Sequence, residues 1–305
     1  MRTRKTLGGA LAAILLLILT QLIAQGAAGL LAMIKLPAGV CNIVAGILYA
    51  GLAYAALRLL SEKVLHEHTA ALGMPKLHIQ PRWAITAVLL PLLYLYAGTV
   101  ICGTTLENDV LAFLPLAVTG CYLLLFRGTF VRADMRGGEM FSTLSAGIAF
   151  TGIAAGFVEE MVFRGVILNL FAQRWNKVVA VIVPSLLFGI VHILGAEFTF
   201  GSCLLVILAG TMVGVMFSLI ALQSGSVWNS GIVHAVWNIV IIGGGLSIGE
   251  TADAHAVVSY VLESRSFAVT GGQFGIEASV ISLAGYCIVA VIAYTLLRAD
   301  SAKRS

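Results

Sequence analysis

The sequence predicts an all-α fold, a polytopic integral membrane helix bundle, and three observations predict it. Hydrophobic residues fill 60% of the 305 positions and charged residues only 10%, where a soluble domain holds roughly 25% charged residues. Mean hydropathy is +1.01. Apolar runs long enough for a hydrocarbon core of about 30 Å recur from one end of the chain to the other.

Taken in order, candidate spans fall near residues 7–34, 38–60, 84–105, 110–126, 141–172, 178–195, 203–222, 228–246 and 279–297. The first run follows MRTRK and extends well beyond the 7–15 residues of a typical signal-peptide core, so it reads as a retained span. The segment 65–83 is of mixed polarity and reads as interfacial; His66, His68 and His78 in it read as exposed residues rather than ligands. Cys41, Cys102, Cys121, Cys203 and Cys287 lie in apolar runs without ligand spacing and read as small buried hydrophobes. No internal repeat or linker divides the chain, which reads as one structural domain.

Lys and Arg set the orientation. Arg2, Arg4 and Lys5 place the N-terminus in the cytoplasm, as Arg58, Lys63, Lys76 and Arg82 do for 61–83. The acidic turn Glu107-Asn108-Asp109 falls outside, and Arg127, Arg132 and Arg136 return inside. The run 141–172 resists this count, because a single crossing would put Arg174 and Lys177 outside. As one helix it would be about 48 Å long, and it contains Gly147, Gly152, Gly156 and Gly165. The expectation is a broken, re-entrant or strongly tilted helix that begins and ends on the cytoplasmic side. That gives about eight transmembrane helices in the cell membrane, both termini cytoplasmic and the 247–278 loop outside. Glu250, Asp253, His255 and Glu263 in that loop read as a solvated cap. The net charge of +4 sits in the termini and short connections, so it reports orientation and excludes nucleic acid as a partner. The bilayer is the first partner, and the oligomeric state is unknown from sequence.

Chemistry concentrates in three stretches. In GFVEEMVFRG, residues 156–165, two carboxylates and a guanidinium stand at membrane depth, where a charge costs roughly 2.5–3.5 kcal/mol. Glu160 and Arg164 are spaced i, i+4 and can pair on one helix face, while Glu159 is turned about 100° away. Either Glu159 is a general base with a partner pair beside it, or the three are a packing ion pair with a bystander. In PSLLFGIVHILG, His192 lies one turn after Phe188; in NSGIVHAVWNIV, His234 and Asn238 share a face. An acid, two imidazoles and an amide can activate water and stabilise an oxyanion. No serine or cysteine sits in a nucleophile motif such as G-x-S-x-G, which disfavours an acyl-enzyme. Glu159, His192 and His234 are also a possible zinc set, although H-E-x-x-H is absent. Zinc therefore stands as the alternative to a site without cofactor.

These motifs, E-E-x-x-x-R at Glu159, Glu160 and Arg164, F-x-x-x-H at Phe188 and His192, and H-x-x-x-N at His234 and Asn238, resemble the CAAX prenyl protease and bacteriocin-processing (Abi) family of intramembrane proteases. The resemblance covers about residues 139–245, the expected catalytic core. Residues 1–138 would supply N-terminal spans and the interfacial segment, and 246–305 an external loop and the final span. The resemblance implies an intramembrane endopeptidase with a cavity open to the cytoplasm, acting on a membrane-bound or lipidated polypeptide. Glu159 and His192 would activate water, His234 and Asn238 would stabilise the oxyanion, and Glu160 and Arg164 would support the site. Eukaryotic relatives remove the C-terminal tripeptide from prenylated proteins, and some bacterial relatives are linked to bacteriocin maturation or self-immunity. A non-enzymatic scaffold or immunity protein and a proton relay are the competing readings.

Overall fold

A computed structural model describes residues 3–92, 118–194 and 197–303. Cys102, the turn at 107–109 and parts of the expected spans 84–105 and 110–126 lie outside the described residues. Elements run α1 Thr3–Met33, α2 Ala38–Leu65, α3 Pro81–Leu92, α4 Val118–Leu125, β1 Gly128–Arg132, α5 Gly137–Arg174, α6 Lys177–Val191, α7 Phe200–Ser224, α8 Val227–Ile241, β2 Leu246–Gly249, β3 Val258–Leu262 and α9 Val280–Ala302.

Among the described residues, α1, α2, α5, α7 and α9 are long and apolar enough to cross a membrane; α6, α8 and the α3 stretch Pro81–Leu90 are shorter apolar helices. Leu11, Leu15, Leu22 and Leu30 of α1 are more than half exposed. Such a helix, apolar all round, suits a lipid-facing position. Polar side chains at the junctions fix where the later helices begin. Asn176 caps α6, Thr199 caps α7, Ser226 caps α8 and Ser279 caps α9, each accepting from a backbone N–H in the first turn.

The antiparallel pair α1–α2 packs along α5. Asn42 Nδ2 donates to Ser142 O at 2.9 Å near one end, and Arg174 Nε donates to Thr3 Oγ1 at 2.9 Å at the other. The expectation of a re-entrant segment is therefore corrected: α5 runs once from end to end of the bundle. Its i→i−4 hydrogen-bond ladder is interrupted by π-helical winding over Ala146–Ala155 and Met161–Ile167, with an α-helical stretch Gly156–Glu160 between. Glycines let α5 approach α8 backbone to backbone. A Cβ on Gly147 would meet Gly243 O at 1.9 Å, and one on Gly156 would meet Ala235 N at 2.9 Å.

A three-stranded sheet of order β1-β3-β2 closes one end, with β1 antiparallel and β2 parallel to β3. This corrects the placement of Arg127, Arg132 and Arg136, since Arg132 pairs with Val258 and so lies with the 247–278 segment rather than with the termini. The same segment is more than a solvated cap, for Ile248, Tyr260, Leu262 and Ile276 are buried in it. At the opposite end Gln223 Nε2 donates to Asp300 Oδ2 at 2.8 Å and Lys5 Nζ to Leu65 O at 2.5 Å, which gathers both ends of the described chain there.

Candidate active site

The α-helical stretch of α5 between its two π-wound segments carries the carboxylates. Such local π winding often marks functional positions. Arg164 Nη1 donates to Glu160 Oε1 at 2.9 Å, with both side chains fully buried, as the i, i+4 spacing predicts. Among the described residues Arg164 Nε and Nη2 and Glu160 Oε2 find no hydrogen-bond partner. The guanidinium lies over the rings of Phe188 at 4.3 Å and Phe217 at 5.3 Å, a contact that partly offsets the lost donors. Gly214 makes room for it, since a Cβ there would come 3.0 Å from Nη2.

From α8, His234 reaches between the two acids. Its Nδ1 is 3.1 Å from Glu160 Oε1 and its Nε2 is 3.8 Å from Glu159 Oε2. The ring stacks on Phe217 at 4.7 Å. An ionised Glu160 can only accept, so Nδ1 is the donor and the tautomer is set. His192, at the C-terminal cap of α6, sends Nδ1 to Phe188 O at 2.6 Å, which leaves Nε2 as an acceptor. Asn238 Nδ2 donates to Thr151 O at 3.0 Å, holding the carboxamide with a second N–H to spare.

Glu159, His192, His234 and Asn238 line one cavity of about 210 Å³. Phe188 lines it too, while Glu160 and Arg164 stand behind as support. The cavity shares Ile242, Phe274 and Glu277 with a larger one of about 770 Å³ under the β2 segment. It therefore leads toward the end opposite the termini.

Sequence reasoning missed Glu277 and its partner Trp237 here. Glu277 belongs to a helical turn between β3 and α9 and lines both cavities; Trp237 Nε1 donates to its Oε1 at 2.9 Å. Burial pushes the Glu277 carboxyl above the ordinary carboxylate range and Glu159 adds to the rise, while the Trp237 N–H and the two imidazoles oppose it. A lone acid in an irregular stretch carries no periodic signal, although the adjacency of Trp237 to Asn238 places its indole beside the motif.

As a zinc site the set is incomplete. Among the described residues no three His, Cys, Asp or Glu side chains gather to hold a metal ion; His234 approaches Glu159, and His192 is not drawn in with them.

Neither the curated proteins nor the solved structures contain a match to the chain. Residues 141–240, which hold every motif residue above, match the family described as Type II CAAX prenyl endopeptidase Rce1-like. That stretch is about a third of the chain's length and is the part that builds most of the cavity, so over it the chain is similar to the CAAX-type endopeptidases.

Proposed function

We propose that the protein is an endopeptidase that hydrolyses a peptide bond of a membrane-associated or lipidated polypeptide with water activated by Glu159. The observation that carries this reading is the convergence of Glu159, His192, His234 and Asn238 from two helices and one helix end on a single cavity. Water lying between Glu159 and the free Nε2 of His192 gives a proton to the carboxylate as its oxygen attacks the carbonyl carbon. The oxyanion that forms takes hydrogen bonds from the spare N–H of Asn238 and from His234 Nε2–H. With Nδ1–H held by Glu160, an Nε2–H requires the imidazolium, whose charge the developing oxyanion offsets, because Arg164 already matches the charge of Glu160.

The cell-membrane location and orientation belong to the same proposal. Arg4, Lys5, Lys63, Lys76, Arg82, Arg174, Lys177, Arg298 and Lys303 gather at the end holding the termini. By the positive-inside bias that end is cytoplasmic. Cytoplasmic termini and a cavity opening to the cytoplasm, both expected from sequence, then conflict, and the geometry favours a cavity approached from the other side.

The test is a termini-selective mass-spectrometric comparison of membranes from cells carrying the wild-type chain and cells carrying Glu159→Gln at matched expression. New polypeptide ends that depend on Glu159 support the reading and name the substrate. No differing ends, with a phenotype that survives the substitution, would turn the reading to a scaffold or immunity role. Activity that survives chelation supports glutamate-activated water, whereas loss that zinc restores supports the metal version.

A further inference from the structure

The stretch 271–279 enters the cavity from outside the matched region. Gly271, Gly272 and Gly275 hold left-handed backbones, with φ of 74°, 60° and 89°. At such positions a residue with a side chain is strained. The turn they make presents Phe274 and Glu277 to the cavity. Hydrogen bonds fix it in place: Tyr286 Oη donates to Glu277 O at 3.1 Å, Ser282 Oγ to Ile276 O at 2.5 Å and, from a distant helix, Trp237 Nε1 to Glu277 Oε1 at 2.9 Å. The indole N–H occupies one carboxyl oxygen. The carboxyl belongs to a side chain that lines the space shared with Glu159.

We propose that Glu277 is the proton donor of this site, the acid that faces the base Glu159 across the cavity. The proposal rests on the peptidase reading above and supplies the half-reaction that reading leaves open. Both carboxyls line the same small cavity, so the acid that gives a proton and the base that takes one can act on one bound peptide. The groups that face Glu277 are Glu159 from α5, His192 at the end of α6, His234 and Trp237 from α8 and Tyr286 from α9; on its outer side Glu250, Asp253 and His255 line the larger cavity. Its raised affinity for protons, caused first by burial, agrees with the role.

The step balances without a co-reactant. Glu159 takes one proton of the water as the C–O bond forms. On collapse the C–N bond breaks, and the leaving nitrogen takes its proton from the Glu277 carboxyl. Glu277 is left ionised and Glu159 protonated, and passage of that proton across the cavity restores the starting state. One water is consumed, and one carboxylic acid and one amine are released.

The first measurement uses the intact wild-type chain. Dicyclohexylcarbodiimide reacts with protonated carboxyls in apolar surroundings, and peptide mapping locates the adduct. Labelling of Glu277 at neutral pH that declines as pH rises is expected; an unlabelled Glu277 at neutral pH overturns the proposal. The second measurement compares kcat on the cleaved substrate for wild type, Glu159→Gln and Glu277→Gln, the last keeping an acceptor for Trp237. Glu277→Gln is expected to lower kcat by roughly 10²-fold or more and to abolish the alkaline limb of the pH profile, with Glu277→Asp restoring that limb. A wild-type chain that cleaves, a dead Glu159→Gln and a fully active Glu277→Gln would sink the donor while leaving the peptidase standing. A wild-type chain that makes no Glu159-dependent ends would sink both.

Discussion

His234 Nδ1 lies 3.1 Å from Glu160 Oε1, the same oxygen that Arg164 Nη1 holds at 2.9 Å. One carboxylate oxygen thus ties a buried cation on its own helix to an imidazole on another. The arrangement sets which nitrogen of His234 faces Glu159 and makes the orientation of the site depend on a fully buried charge.

Removing that charge should be costly. Glu160→Gln leaves Arg164 buried without its partner and is expected to cost about 3–5 kcal/mol, read as a fall in the thermal unfolding midpoint in detergent. Replacing Glu160 and Arg164 together by Leu and Met should recover most of the stability without recovering activity. Recovery of both would show that the pair does not orient His234.

Two glycines on different helices should respond oppositely to alanine. At Gly156 a Cβ would meet the Ala235 backbone at 2.8–2.9 Å, and backbone cannot move aside cheaply, so Gly156→Ala should lose about 1–3 kcal/mol along with activity. At Gly51 a Cβ meets nothing within 4 Å among the described residues, so Gly51→Ala should gain about 0.5–1 kcal/mol. Equal unfolding midpoints for the two variants would contradict the close approach.

The raised affinity of Glu277 for protons gives stability a pH dependence of known sign. The folded chain keeps a proton there that the unfolded chain releases in the ordinary carboxylate range. This contribution is therefore greatest at low pH, falls as pH rises through the window between the unfolded and folded values, and is level above it. Thermal unfolding followed against pH should show that decline in the wild type and a flatter curve in Glu277→Gln. Identical curves would count against it.

The course of α5 makes a topological prediction. In a background without other cysteines, single cysteines at positions 134 and 174 should react with an impermeant reagent from opposite sides of the membrane, and one at 255 should react from the same side as 134. Positions 134 and 174 reacting from one side would contradict a single crossing.

Much of the site was legible because its spacings are helical. Glu160 and Arg164 pair at i, i+4 as expected, and the same interval carries His234 and Asn238 on one face toward a shared cavity. What stayed hidden depends on contacts distant in sequence. Arg127, Arg132 and Arg136 suggested a cytoplasmic loop, yet β1 pairs with β3 some 130 residues away, and charge bias holds no information on strand pairing. Glu277 was lost among the irregular residues after β3, since its place is set by Trp237 and Tyr286 rather than by any local period. The 38-residue length of α5 suggested a break, whereas the chain keeps one helix and changes its winding.

The close approach of α5 to α8 also limits how a lipid-anchored polypeptide could come in sideways. Gly156 against Ala235, and Gly147 against Gly243 just past the end of α8, leave no width along this seam for an acyl or prenyl chain. That seam is a closed wall, and under the proposed function a lateral doorway for such an anchor would lie along another flank of the bundle.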